Sequence, residues 1–317
     1  MSHLVETMAY VDTTPWHGLG NQLPQNQPLV VWQRSAGMDW SIRQAEVLYS
    51  VPDIGINVRP YSDSKVLYRS DTLEPLSIVS KRYKVVQPRE VLEFYRDLVS
   101  AGGFELETAG VLKGGKKLWA LAKTGQETVL KGGDKIKAYL LLATSCDGTL
   151  ATTAQFTSVR VVCNNTLQMA IGDRSGAVKV PHSTKFDPAA VKQELGIGLS
   201  AWDSFLVGMR AMSERRVNKF EAMSLLVDVL GDPSVPLNDQ TNQKALQSVH
   251  ALFAGAGKGS ALVSADGTAW GLLNAVTEYV DHERRARSQD YRLDSAWFGN
   301  GAAIKGRALE RALRLTA

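Results

Sequence analysis

The sequence predicts an α+β protein in which a central antiparallel β-meander, with a β-β-β-α core, precedes a helical C-terminal region. Between residues 104 and 162, β-rich segments alternate with glycine turns. From Asp187 onward, apolar residues recur at helical spacing and capping residues separate the segments. We therefore expect an irregular, β-rich region at 1–87, a central α+β core at 88–186 and a helical region at 187–317.

Prolines and glycines interrupt the first region at intervals that are too short for long helices. Short β-rich runs, Val47–Val51 and Leu76–Val79, lie between them. The first helix is predicted over Pro88–Ser100, because proline suits the first helical position and the apolar residues that follow form one face. Gly102 and Gly103 are expected to end it.

Glycine turns divide the central region into hairpins. The turn at residues 113–116 is a hairpin signal, a second glycine turn covers residues 131–134, and Asp147 with Gly148 closes another hairpin. The predicted strands are Phe104–Leu112, Lys117–Lys123, Ala138–Thr144 and Leu150–Val162. Asn164 and Asn165 are typical helix caps, so a short helix over Thr166–Ile171 completes the predicted motif.

Capping signals also organise the C-terminal region. Asp187 and Pro188 open a predicted helix that reaches Arg215, and Asn218 with Glu221 forms a capping box for a second helix ending at Leu230. Further helices are predicted near Gln240–Phe253, Thr268–Arg285 and Ala302–Leu313.

Positive charge is concentrated in the central region. Residues 110–185 hold eleven Lys or Arg against four Asp or Glu, an excess of seven. Residues 1–109 hold ten against thirteen, and residues 186–317 hold fifteen of each. A sheet that collects charge in this way indicates a polyanionic partner.

Two groups of residues carry the nucleic-acid hypothesis most directly. Lys81, Arg82, Tyr83 and Lys84 place three cations around an aromatic ring, which suits phosphate contacts and stacking on an unpaired base. An exposed edge strand with protective lysines explains the same residues equally well. The second group is Lys113, Lys116 and Lys117, where two glycines would let the backbone approach a phosphate at a projecting tip. Ordinary loop lysines are the alternative here.

The next turn and an apolar strand extend this predicted interface. Lys131, Lys135 and Lys137 lie on the following turn and could continue a basic groove. Arg160 stands among valines, so it is exposed at an edge, paired with an acid, or directed at a bound phosphate. We favour the phosphate for Arg160.

Patterns typical of catalysis are incomplete, so no catalytic, metal or cofactor site is predicted. Gly255–Ser260 resembles a phosphate-binding loop, but Gly259 stands where Ser or Thr should follow the lysine. Gly198–Trp202 lacks the second glycine of a nucleophile elbow. Glu278 and His282 could share a metal at i, i+4, although a solvated charged helix end explains them more simply. Cys163 fits a small apolar thiol better than a nucleophile.

The cellular compartment is predicted from the N-terminal residues, the length of the apolar stretches and the number of cysteines. The first residues show no basic segment followed by an apolar run, and no stretch reaches the ~18 apolar residues that a membrane span needs. Two cysteines fit a reducing environment. We expect a cytoplasmic protein that makes no membrane contact.

Four segments resemble the phage- and plasmid-borne proteins of the domain-of-unknown-function 932 family. They are Pro15–Gly20 (Pro-Trp-His-Gly-Leu-Gly), Thr157–Leu167, Gly267–His282 and Trp297–Gly299. This resemblance implies a bacterial host cell but no particular activity. The central β-β-β-α arrangement is also similar to the core of Rad52-type single-strand annealing proteins, which form rings and hold single-stranded DNA in a basic groove. That similarity is one of fold and carries no site residue with it.

Together these observations predict a protein that binds single-stranded DNA and anneals it, as a homo-oligomeric ring or arc, without a chemical step. Two alternatives remain open at this point. One is a metal-dependent enzyme acting on nucleic acid or nucleotides, with acids such as Asp147 and Asp173 holding the ion. The other is a phage counter-defence protein that binds a host factor.

Overall fold

The structure, a computed structural model, describes residues 8–11, 20–51, 57–102, 104–161, 165–168, 177–196 and 199–317. For residues 97–102, 165–168, 196 and 199–201 it describes the backbone alone. It confirms the α+β class, with mixed sheets followed by several C-terminal helices. Among the described residues, no helix combines the length and the apolar content that a membrane crossing requires.

Residue contacts divide the chain into two units whose segments alternate along the sequence. The first unit holds residues 1–124, 140–155 and 177–196, and the second holds residues 125–139, 156–176 and 197–317. The boundaries expected at residues 87 and 186 do not coincide with these, because the long central strands contribute residues to both units.

The N-terminal elements include a three-stranded sheet. In chain order they are β1 (Met8–Val11), β2 (Asn21–Leu23), α1 (Leu29–Ser35), β3 (Ile42–Val51), β4 (Asn57–Arg69), β5 (Pro75–Ser80) and α2 (Pro88–Gly102). The two predicted β-rich runs lie inside β3 and β5, and α2 confirms the predicted helix. The sequence did not indicate β4, because Pro60 interrupts it. Pro60 is tolerated since β4 pairs with β5 only from Ser64 onward, so no partner on that side needs its missing N–H.

The central strands belong to an eight-stranded sheet. They are β6 (Glu105–Leu112), β7 (Lys117–Leu130), β8 (Asp134–Ser145), β9 (Thr152–Arg160), β10 (Asn165–Gln168) and β11 (Ala177–Val180). The strand order is β10-β9-β8-β7-β6-β1-β2, with β11 also paired to β9. Consecutive strands from β6 to β10 are therefore neighbours, as a meander requires, and the β1–β2 pair is parallel.

The helix predicted after the meander is wrong where the structure describes it. Residues 165–168 form β10, in which Thr166 lies opposite Val159 on β9. The ladder along β9 supplies hydrogen-bond partners that outweigh the local capping signal of the asparagines. Residues 169–171 and Asn164 lie outside the described residues.

The C-terminal region is helical, as predicted. Its helices are α3 (Pro188–Gly196), α4 (Leu199–Glu214), α5 (Lys219–Leu230), α6 (Gln243–Ala251), α7 (Ala269–Glu278), α8 (Gln289–Phe298) and α9 (Asn300–Arg314). The Asn218–Glu221 capping box at the start of α5 is confirmed in both directions. The single helix expected from Asp187 to Arg215 corresponds to α3 and α4, and α8 had no counterpart among the predicted helices.

Helix α7 forms the centre of the second unit. All ten of its residues are buried, from Ala269 to Glu278. Thr268 caps it, because its hydroxyl accepts a hydrogen bond from the Gly271 N–H at 3.1 Å. A methyl group at Gly271 would lie 1.9 Å from the Ala265 carbonyl oxygen, so only glycine allows the preceding turn to pack this closely.

Candidate nucleic-acid interface

The turn that follows β5 places its cations in solvent but not its aromatic ring. Lys81, Arg82 and Lys84 are exposed, whereas Tyr83 is buried. The Tyr83 hydroxyl donates to the Ser145 carbonyl oxygen at 2.7 Å, and burial raises the pKa of Tyr83, so the phenol is a neutral donor. The prediction that Tyr83 stacks on a DNA base is therefore wrong, because its ring serves packing.

His182 connects this turn to two others in the first unit. Its ring stacks on Tyr83 with centroids 4.3 Å apart and an interplanar angle of 18°. One ring nitrogen lies 3.1 Å from the Lys84 carbonyl oxygen and the other lies 2.9 Å from that of Leu150. The Lys84 N–H in turn donates to the His182 carbonyl oxygen at 2.6 Å. The three turns at residues 81–84, 147–150 and 181–184 are thus held together.

We call the exposed cations on and beside these turns the turn cluster. Its members are Lys81, Arg82, Lys84, Lys179 and Lys185. None of them makes an ion pair with another of the described residues. Lys65 adds charge underneath, since its ammonium donates to the Tyr83 carbonyl oxygen at 2.8 Å. Burial, and then the charge of Lys84, lowers the pKa of Lys65.

Two acids on or beside the three turns, Asp187 and Asp147, accept local hydrogen bonds. Asp187 accepts from the Ala189 N–H at 2.9 Å and so caps α3. Asp147 accepts from the N–H and the hydroxyl of Thr149 at 3.0 and 2.6 Å. Burial by itself would raise the pKa of Asp147, but the hydrogen bonds have the larger combined effect and lower it. These two carboxylates hold the turns in shape, and neither forms an ion pair with the described cations of the turn cluster.

The hairpin at residues 113–116 forms as predicted, but its tip does not project. A methyl group on Gly115 would lie 3.0 Å from a Leu76 methyl carbon and 3.1 Å from the Trp40 ring, so the turn packs against these two side chains within the first unit. Lys117 is only 5% exposed and leaves the predicted interface. Lys113 and Lys116 are half-buried, which weakens their case as phosphate contacts.

The lysines of the next turn belong to the second unit, where carboxylates lie close to two of them. Lys131 lies 3.3 Å from Glu214 and Lys135 lies 2.8 Å from Glu127. The hydrogen bond from Lys135 lowers the pKa of Glu127. Lys137 is half-buried. These three residues therefore offer less free positive charge than the sequence suggested.

Arg160 does not face a phosphate. Its side chain is 3% exposed, and its Nε donates to both carboxylate oxygens of the fully buried Asp134, at 2.7 and 3.0 Å. The same carboxylate accepts from the Ser264 hydroxyl at 2.7 Å and from the Trp270 indole N–H at 3.0 Å. Of the three possibilities for Arg160, pairing with an acid is the observed one, and the assignment to DNA was wrong.

This buried group explains residues whose importance the sequence did not reveal. Asp134, Arg160, Ser264 and Trp270, which we call the Asp134 node, join β8 and β9 to the segment before α7 and to α7 itself. An Arg160 Nη donates to the Gly259 carbonyl oxygen at 3.0 Å, so the node also anchors the glycine-rich loop. Its partners are far apart in the chain, and no local signal connects them.

The Glu278 carboxylate has a structural partner in the glycine-rich loop. Its two carboxylate oxygens lie 3.1 and 3.0 Å from the Lys258 backbone nitrogen, next to Gly259 in the glycine-rich loop. Burial raises the pKa of Glu278, and the Lys258 N–H lowers it in part. In the described parts of the chain, no three His, Cys, Asp or Glu side chains are grouped to hold a metal. Cys163 and Asp173 lie outside those parts, as do residues 15–19 of the first family-like segment.

Fold and site define an α+β protein that carries a cluster of exposed cations on and beside three connected turns. A family model described as "Domain of unknown function (DUF932)" matches residues 75–297, more than two thirds of the 317 residues. The chain therefore belongs to this family. A search of curated proteins and a search of solved structures each found no match.

Proposed function

We propose that this protein binds single-stranded DNA through the turn cluster and promotes its annealing without a chemical step. The observation that carries the proposal is the exposure of Lys81, Arg82, Lys84 and Lys185 on and beside turns that His182 holds together. Each cation that meets a phosphate releases counterions, which gives affinity without sequence preference. The cluster is preorganised, so little conformational entropy is lost on binding.

A single strand suits this surface better than a duplex does. Its flexible backbone can bring successive phosphates to cations on neighbouring turns. Because Tyr83 is buried, the contacts are to phosphates, and the bases are left free to pair with an incoming strand. Annealing follows from this arrangement, since neutralised backbones repel each other less.

One turn cluster can contact only a few nucleotides, so efficient annealing requires several copies side by side in a ring or arc. The consecutive strands β6 to β9 support the analogy with Rad52-type proteins at the level of the meander. The strand β10 departs from it, because a helix is expected there. Phage or plasmid origin and a cytoplasmic site of action in a bacterial host belong to the same proposal.

The test is a salt titration of binding to a labelled single-stranded oligonucleotide. Replacing Lys81, Arg82 and Lys84 by alanine should weaken binding and make the log–log salt slope shallower by about 2. Each phosphate contact on a single strand contributes about 0.7 to that slope. The three side chains are exposed, so the fold should be unchanged by circular dichroism.

The matched control replaces Lys131, Lys135 and Lys137, which removes the same charge from the second unit. Its slope should remain close to that of the wild type, because Lys131 and Lys135 already lie near carboxylates. If both variants lost the same DNA affinity and salt slope, the effect would depend on net charge alone, and a localised binding site would be refuted. Binding and annealing should both persist in EDTA, whereas their loss would favour the metal-dependent alternative.

A further inference from the structure

Phe220 is an unusually exposed aromatic side chain in the second unit. It is 89% exposed, the largest value among the large hydrophobic residues that the structure describes. Phe220 is the second residue of α5, where the Asn218 side chain accepts from its N–H at 3.0 Å and from the Glu221 N–H at 2.9 Å. The capping box fixes the backbone here, so the folded helix itself holds the ring in solvent.

A pocket opens directly beside this ring, between α5 and the end of α9. It measures about 400 Å³, and Phe220 forms part of its wall together with Ser224, Leu225 and Leu315. The Arg215 guanidinium donates to the Leu315 carbonyl oxygen at 2.9 Å and so fixes the far side of the pocket. The volume is sufficient for an aromatic side chain.

The charges around the pocket are balanced. Glu221, Asp228, Arg311 and Arg314 line it, two acids and two bases. Arg311 lies 3.4 Å from Asp228, and Arg215 lies 2.5 Å from Glu221. A polyanion would meet as many carboxylates as cations at this surface. A protein surface with the same mixture of charges fits it better.

We propose that two copies of this chain associate across a two-fold axis at this surface, with the Phe220 ring of each copy entering the pocket of the other. A two-fold interface needs a projecting group and its receptor on one and the same patch, and here they are adjacent. An aromatic anchor in an apolar pocket with a charged rim is the usual composition of an interface hot spot. The charged rim is also complementary to its own copy, because the arginines of one copy can face the acids of the other.

This association goes beyond the proposed DNA binding and does not depend on it. The two surfaces share no residue, so each can be removed separately. Mass is measured without DNA, and DNA binding is measured on the turn cluster, so a failure of either idea is recognisable by itself.

Light scattering and sedimentation equilibrium test the association. The wild type should have a mass of twice 34.6 kDa or a higher even multiple. Phe220→Asp should weaken the dimer at least about tenfold, since truncating an aromatic anchor removes most of such an interface's affinity. Aspartate is favourable in the first turn of a helix, so this variant should fold normally by circular dichroism.

Two further variants complete the experiment. Leu237→Asp adds the same charge at another exposed apolar residue, 47% exposed and outside the pocket, and should leave the mass unchanged. Ser224→Trp fills the pocket instead of removing the ring and should dissociate the dimer as well. A wild type that is monomeric at its highest soluble concentration overturns the proposal, and so does an F220D protein with unchanged mass. Loss of DNA affinity in F220D at unchanged mass would assign the ring to nucleic acid and equally overturn it.

Discussion

Replacing Asp134 by alanine is expected to lower the free energy of unfolding by about 3–5 kcal/mol, the usual cost of leaving one partner of a buried ion pair alone. Arg160 would stay buried without its counterion, because the side chain is only 3% exposed. The Ser264 hydroxyl and the Trp270 indole N–H would lose their acceptor at the same time. Urea denaturation followed by tryptophan fluorescence measures the change, since Trp270 itself reports on the node.

Two controls separate this effect from general sensitivity. Glu214→Ala removes the carboxylate of the exposed pair with Lys131 and should leave the midpoint unchanged. The double variant Asp134→Leu with Arg160→Met removes both charges and should recover much of the lost stability, because apolar residues of similar volume can replace a buried pair. If D134A were as stable as E214A, the Asp134 node would not stabilise the second unit.

Gly271→Ala should destabilise the protein by several kcal/mol, beyond the ~1–3 kcal/mol that overpacking usually costs. The added methyl would lie 1.9 Å from the Ala265 carbonyl oxygen, which is backbone and cannot rotate away. The turn before α7 would have to move, and with it Ser264 and the Thr268 cap. Thermal unfolding is a sufficient measurement.

Gly306→Ala is the matched control for this substitution. Gly306 lies within α9, and outside the local backbone of the helix no heavy atom lies within 4 Å of the position that its methyl would take. Alanine is the better helix former, so this variant should gain ~0.5–1 kcal/mol. Equal destabilisation of both variants would mean that the close contact at Gly271 is not what the helix depends on.

Local signals explain which parts of the fold the sequence could predict. The start of α5 was predictable because Asn218 and Glu221 are three residues apart and cap the same helix end. Helix α2 was also predictable from local signals: the proline at its start, its apolar face and the glycines near its end. The strand β10 could not be predicted, because its pairing with β9 outweighs the local capping preference of Asn165.

The errors at the candidate site have one physical origin. Arg160 looked free because its partner Asp134 lies 26 residues away, and two further members of the node lie 130 and 136 residues from Asp134. Tyr83 looked available for stacking on a base because its stacking partner, His182, is distant in the sequence and no local pattern predicts that contact. A count of charges along the sequence includes cations that the fold buries or pairs with acids. Only the contacts between distant segments show which cations stay exposed and unpaired.

The central claim is that the turn cluster, and not the lysines of the second unit, meets the polyanion. Lysine acetylation read by mass spectrometry, with and without an excess of single-stranded oligonucleotide, tests this most directly. We predict that bound DNA protects Lys81, Lys84 and Lys185, while Lys131, whose side chain is 66% exposed, stays as reactive as before. Protection of Lys131 with unchanged reactivity at Lys81 and Lys84 would contradict the account.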